Sequence, residues 1–201
     1  MTTPEPRRVV IAEDEALIRM DLAEMLAEEG YAVVGQAADG ETAVALAEQQ
    51  RPDLVILDVK MPVLDGISAA EQIVGERIAP VVILTAFSQR DLVERAREAG
   101  AMAYLVKPFQ KKDLIPTIEM AVSRFTELVA LEAEVADLSG RLEARKLVDR
   151  AKGRLQSDHG LTEAEAFRWI QRTSMDSRQS MRAVAQGVLD GTNVPGARDS
   201  D

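Results

Sequence analysis

The chain has 201 residues, room for one full domain and a smaller second one, with no cysteine and a single histidine, His159. That composition excludes disulfides and thiolate metal sites and argues against a His-rich metal site or a serine-type triad; no apolar run reaches the ~18 residues of a membrane span, and residues 1–8 lack an apolar leader core, so a cytoplasmic protein is expected. The net charge of −10 is uneven: residues 1–123 carry 12 Lys/Arg against 21 Asp/Glu, whereas residues 146–189 carry 8 against 5, so the front half would repel nucleic acid and the back part could approach it.

Residues 1–6 read as a tail. Arg8–Ala12 is an apolar run that predicts a buried strand, and 15–29 an amphipathic helix stopped by Gly30. A strand over 31–37 and a helix over 41–50 follow. Leu54-Val55-Ile56-Leu57 predicts a third strand, and a loop with Pro62 and Gly66 leads to a helix over 67–77. Val81-Val82-Ile83-Leu84 is a fourth strand. Ser88 is expected to cap a helix over 90–99, with Asp91 three residues on and Gly100 as its stop. Ala103-Tyr104-Leu105-Val106 is the fifth strand, and a helix follows Asp113. Five strand-then-helix units with continuously apolar strands imply a parallel sheet covered on both faces, over residues 7–123.

The helical pattern then runs on. Leu128, Leu131, Val135, Leu138 and Leu142 repeat at three and four, which is coiled-coil spacing over a linker helix at 114–143. The spacing fits packing within the chain or pairing between two chains. Three helices fit 142–190. The first, 142–157, places Leu147, Ala151 and Leu155 on one face. The second opens with a Thr162/Glu165 capping box and is expected to bury Phe167, Trp169 and Ile170. The third is expected to start at Asp176 or Ser177 and to bury Met181, Val184, Ala185, Val188 and Leu189. Residues 191–201 are rich in Gly, Asn, Pro, Ser and Asp and predict a disordered tail.

In an open parallel sheet, ligands bind beyond the carboxyl ends of the strands where the strand order reverses. With order 2-1-3-4-5 that point lies between strands one and three. Glu13 and Asp14 follow strand one, Asp58 follows strand three, Thr85 ends strand four and Lys107 ends strand five. Three clustered carboxylates stay ionised only beside a cation, and hard oxygens suit Mg²⁺ or Mn²⁺ shared with phosphate. Asp58 is then the candidate nucleophile for a phosphoryl group, with Lys107 and the Thr85 hydroxyl binding its oxygens.

Residues 7–123 resemble the receiver domain of bacterial response regulators, through Ala12-Glu13-Asp14, Leu57-Asp58 with Met61-Pro62 and Asp65-Gly66, Leu84-Thr85-Ala86, and Lys107-Pro108-Phe109. The resemblance implies a flavodoxin-like doubly wound fold and a sensor histidine kinase as partner. It implies Asp58 as phospho-acceptor, with Glu13, Asp14 and the Lys60 carbonyl as further metal ligands. It also implies Thr85 and Tyr104 as a switch pair and a cis peptide before Pro108. No enzyme activity beyond slow self-dephosphorylation is expected.

The basic residues of the tail fall in sets: Lys146, Arg150 and Arg154; Arg168 and Arg172; Arg178 and Arg182. Such sets could track phosphates or simply be solvated faces. Gly153 stands out as a mid-helix glycine, which close approach of a second helix or of a ligand backbone could explain. Residues 142–190 resemble the ANTAR domain, through Leu147, Ala151-Lys152-Gly153, the run 161–167, Ile170 and Val184-Ala185. That resemblance implies binding to RNA stem-loops in nascent transcripts and control by antitermination. Lys152, Arg150 and Arg172 are the expected RNA contacts, followed by Arg154 and Arg168. A phosphorylation-promoted homodimer through the linker helix is a further expectation. Two alternatives stay open: a DNA-binding regulator, or a receiver whose tail only docks proteins.

Overall fold

The computed structural model describes residues 5–86 and 90–195; the expected cap Ser88, and the side chain of Asp91, lie outside them. In chain order the elements are β1 (Arg8–Ala12), α1 (Ala16–Glu28), β2 (Ala32–Ala37), α2 (Gly40–Gln50), β3 (Leu54–Asp58), α3 (Gly66–Gly75), β4 (Val81–Thr85), α4 (Arg90–Glu98), β5 (Ala103–Val106), α5 (Lys111–His159), α6 (Glu163–Ser177) and α7 (Met181–Asp190). The strands form one parallel sheet of order β2-β1-β3-β4-β5.

Strand side chains alternate between two cores. Val10, Ala12, Val55, Leu57, Val81 and Ile83 pack with Ala43 and Ala47 of α2, Ala69, Ala70 and Ile73 of α3, and Ala96 of α4. Val9, Ile11, Leu54, Ile56, Val82 and Leu84 pack with Leu22 and Leu26 of α1 and Leu114, Ile118 and Ala121 of α5. Both faces are therefore apolar, which is why β1, β3 and β4 read as unbroken hydrophobic runs. Each fully buried Val, Leu or Ile contributes about 1.5–3 kcal/mol by leaving water.

Local chemistry sets the helix starts. Asp39 caps α2 by accepting from the Thr42 amide at 2.7 Å. Asp65 caps α3, accepting from the Ile67 and Ser68 amides at 3.0 and 2.9 Å. Each such cap is worth about 1 kcal/mol. The Lys107–Pro108 peptide is cis.

Residues up to 130 form one compact unit and those from 131 a second. The second has its own core: Ala151 and Leu155 from α5, Ala166 and Ile170 from α6, and Val184, Ala185 and Val188 from α7. The Thr162/Glu165 capping box opens α6, and Trp169 packs against this core. The linker helix and the first of the three expected helices are one continuous helix, α5, which carries Pro116 in its second turn and Gly140 and Gly153 in its interior without ending. Its residues Leu131, Val135, Leu138 and Leu142 are exposed.

Three expectations for this unit are corrected. Phe167 is 42 % exposed rather than buried. The buried line of α6 is Ala166 and Ile170, four residues apart, and Phe167 lies about 100° around the helix from Ala166. Helix α7 starts at Met181, not near Asp176 or Ser177: α6 runs on to Ser177, Arg178 turns into the left-handed region, and the Ser180 hydroxyl accepts from the Ala183 amide as cap. For the same reason Arg178 and Arg182 are not one helical face, since Arg178 lies between the two helices.

Candidate functional site

The acidic rim is built by strand ends. Glu13 and Asp14 emerge from β1, Asp58 closes β3, Thr85 closes β4, and Lys107 follows β5. Pairing of Ala12 with Leu57, Asp58 with Leu84, and Thr85 with Val106 aligns those ends along one edge. Carboxylate oxygens of Glu13, Asp14 and Asp58 lie within 4.8 Å of one another. Glu13, Asp58 and Thr85 are buried, and Asp14 is exposed.

Lys107 ties the group together. Its Nζ stands 2.5 Å from Glu13 Oε2 and 2.5 Å from Asp58 Oδ1. The other Asp58 oxygen, Oδ2, accepts from the Lys60 amide at 2.7 Å. Burial pushes the Glu13 carboxyl above its ordinary value; the nearby Asp58 charge adds to this, and the Lys107 bond opposes it. Burial pulls the Lys107 ammonium down, but its bonds to Asp58 and Glu13 outweigh that and leave it raised.

A cavity of about 230 Å³ opens over this cluster, lined by Asp14, Asp58, Lys60, Thr85, Ala86 and Lys107 among others. With all three acids ionised, one ammonium leaves two negative charges uncompensated. The donor set, all hard oxygen beside open space, fits a divalent ion that keeps several of its waters. Tyr104 lies outside this cavity. It is half exposed and lines a separate cavity of about 300 Å³ with Val93, Arg97, Thr117 and Met120.

Three site-building residues had no role assigned from sequence. A Cβ on Gly66 would fall 1.9 Å from the Asp58 carbonyl oxygen, so only glycine lets α3 start against the end of β3. Asp65 holds that start by its cap. The Arg19 guanidinium donates to the Glu13 carbonyl at 2.5 Å. Asp65 and Gly66 were visible as a motif; Arg19, six residues after Glu13, carried no signal.

In the helical unit, Lys152 is held between α5 and α6, with Nζ 2.8 Å from both Asp149 Oδ1 and Glu163 Oε1. Hydrogen bonds to Asp149 and Glu163 raise its pKa. Arg154 Nη1 donates to the Leu189 carbonyl at 2.5 Å, at the end of α7, and its Nε to Asp158 at 3.2 Å. Arg168 Nε donates to the Ala164 carbonyl of its own helix at 3.2 Å. Arg172 is 87 % exposed, 3.7 Å from Asp176. Arg150 is exposed and makes no hydrogen bond or ion pair with the described residues.

A sheet wound in this order, with acidic side chains gathered where its strand order reverses, defines the receiver class of signalling proteins. The chain belongs to the response regulator receiver domain family, whose model matches residues 9–119, and the ANTAR domain model matches residues 136–189. It is 70 % identical over 190 residues to the transcriptional regulatory protein PdtaR of Mycobacterium tuberculosis, covering 94 % of this chain and 93 % of that one. The chemotaxis protein CheY of Thermotoga maritima is 34 % identical over 113 residues, 56 % of this chain and 94 % of CheY. Among solved structures, the receiver domain of the response regulator NarL from Mycobacterium tuberculosis superposes with a TM-score of 0.57 at 28 % identity, covering 60 % of this chain and 98 % of that one. A chain of the CheX–CheY–BeF3–Mg²⁺ complex from Borrelia burgdorferi gives 0.54 at 28 % identity, over 56 % of this chain and 87 % of that one. This chain is thus a response regulator with a receiver and an ANTAR domain, and no helix among its described residues is long and apolar enough to cross a membrane.

Proposed function

We propose that this regulator takes a phosphoryl group on Asp58 from a sensor histidine kinase in the cytoplasm and answers by binding RNA stem-loops in nascent transcripts, favouring antitermination. The observation that carries the first half is the 2.5 Å approach of Lys107 Nζ to Asp58 Oδ1 beside two further carboxylates. Glu13, Asp14, Asp58 and the Lys60 carbonyl would hold Mg²⁺ or Mn²⁺, which supplies positive charge to phosphoryl oxygens when bound. The BeF3 and Mg²⁺ named in the chemotaxis complex support that reading.

Asp58 Oδ1 is the attacking oxygen, and the Lys60 amide on Oδ2 keeps the carboxylate aimed into the cavity. Lys107 and the Thr85 hydroxyl bind the incoming oxygens. The modification adds charge at a buried strand end. Thr85 turns toward that charge, and Tyr104, now half exposed, turns inward behind it. The surface of α4 and β5 changes with it, a two-state element biased by local electrostatics.

The ANTAR match and the +3 balance of residues 146–189 support RNA as the ligand of the second unit. Arg150, Arg168 and Arg172 are the proposed contacts. Lys152 and Arg154 join them only by exchanging their present partners for phosphate. The exposed stripe Leu131, Val135, Leu138 and Leu142 supports a homodimer formed on phosphorylation.

The test is to phosphorylate the full chain with a histidine kinase or acetyl phosphate and measure binding to hairpin RNA and to duplex DNA. Wild type is expected to gain RNA affinity and to sediment as a dimer, while Asp58→Asn does neither. Equal binding by Asp58→Asn, or preference for duplex DNA, would sink the reading.

A further inference from the structure

Gly153 lies inside α5, six residues before its end, where alanine would make a more stable helix. Two things normally retain such a glycine: a left-handed backbone, or a neighbour too close for a side chain. Neither applies here. Its φ is not positive, and a Cβ built on it meets nothing within 4 Å. Its neighbours Ala151 and Leu155 are fully buried, while Gly153 faces solvent. The chain's own packing gives no reason for the missing side chain.

The helix surface around Gly153 carries one acid, Asp149, already paired with Lys152, and one free cation among the described residues. Arg150 precedes it by three residues, so the two are neighbours on the helix surface. Arg150 is the cation of this stretch without a protein partner among the described residues, whereas Lys146 is paired with Glu143 and Lys152 with Asp149 and Glu163. Gly140 provides the contrast. It too is a helix-interior glycine in open space, but its surface neighbours three and four residues away, Ala136, Asp137, Glu143 and Ala144, include no cation. Open space alone therefore marks no site; open space next to an unpaired guanidinium does.

We infer that the exposed notch at Gly153, with Arg150 beside it, is where the sugar-phosphate backbone of an RNA stem-loop lies against α5. Without a Cβ, the backbone approaches the helix barrel closer by about one carbon–carbon bond, and Arg150 bonds a phosphate there. This rests on the RNA-binding reading above and narrows it to one face of one helix.

The experiment uses the full chain with beryllofluoride and Mg²⁺, and a labelled RNA hairpin selected in vitro on the wild-type protein. Affinity is measured over a series of salt concentrations, and unfolding is followed by the fluorescence of Trp169, the chain's one tryptophan. Gly153→Ala is expected to melt higher, by about 2–8 °C, yet to bind roughly tenfold more weakly. Arg150→Gln is expected to weaken binding and to lower the salt slope by about one unit, as loss of one phosphate contact does. Gly140→Ala is expected to melt higher with unchanged affinity. Unchanged affinity in Gly153→Ala or Arg150→Gln, or an equal loss in Gly140→Ala, overturns the inference while the RNA reading stands. A wild-type chain that enriches no hairpin overturns both.

Discussion

Lys107 reaches over β4 to put its ammonium 2.5 Å from Asp58 Oδ1, joining the ends of two strands that are not neighbours in the sheet. The same ammonium holds Glu13, whose side chain is fully buried. Replacing Lys107 with Met therefore leaves a buried carboxylate pair without a cation. Removing one partner of a buried pair costs about 3–5 kcal/mol. Lys107→Met should lower the chemical-denaturation midpoint at neutral pH by a stability loss of that order. The loss should shrink in millimolar Mg²⁺. An unchanged midpoint would mean the pair is not the counter-charge of the site.

Asp14 differs from its two companions in being exposed. Its removal takes a negative charge from a crowded group without emptying any core. Asp14→Ala should be as stable as wild type without metal. Wild type should gain ~2.7 kcal/mol at a Mg²⁺ concentration one hundred times its Kd, and Asp14→Ala much less. Thermal melts with and without a chelator check this; an equal Mg²⁺ shift in both proteins would remove Asp14 from the ligand set.

Acid should act on the two units through different groups. In the helical unit, the Thr162 hydroxyl and amide hold Glu165 below its ordinary 4.5, and hydrogen bonding to Lys152 holds Asp149 below 3.8. A lowered carboxyl contributes stability that is present above its unfolded value and lost as pH falls through its folded value. Glu13, raised by burial, works in the opposite sense: its contribution is full below its unfolded value and is lost as pH rises through the folded one. Trp169 fluorescence should therefore report progressive destabilisation of the helical unit below about pH 4.5. Glu165→Gln should lose part of that dependence. A pH-independent melt between 3 and 6 would contradict it.

Phe167 and Ile170 are close in sequence and opposite in environment. Ile170 is fully buried, and Phe167 is 42 % exposed. Ile170→Ala should cost about 2–5 kcal/mol. Phe167→Ala should cost clearly less than the ~3–5 kcal/mol of a core phenylalanine. Urea titrations followed at Trp169 compare them, and equal losses would restore Phe167 to the core.

Much of this was legible from residue order. A strand buried on both faces must be apolar throughout, so β1, β3 and β4 announce themselves, and the reactive side chains at their ends come into line once the sheet is parallel. The helical unit was less legible. Phe167 is the more hydrophobic letter, but the buried face of α6 is set by the small Ala166 with Ile170, and small residues weigh little in any hydrophobic pattern. The start of α7 is ambiguous in the sequence because Asp176, Ser177 and Ser180 are all competent caps, and only the left-handed turn at Arg178 chooses among them.

By itself, then, the order of residues determined a doubly wound parallel sheet, the identity of its acidic rim and a second helical unit, because apolar periodicity and strand-end chemistry are local properties. Tertiary structure alone decided that Lys107 bonds both Glu13 and Asp58, that Lys152 is held between two carboxylates while Arg150 is not, and that Gly153 faces open space. Apart from the local Asp149–Lys152 pair, those are distances between residues on different elements, or the lack of any neighbour, and no periodicity encodes them.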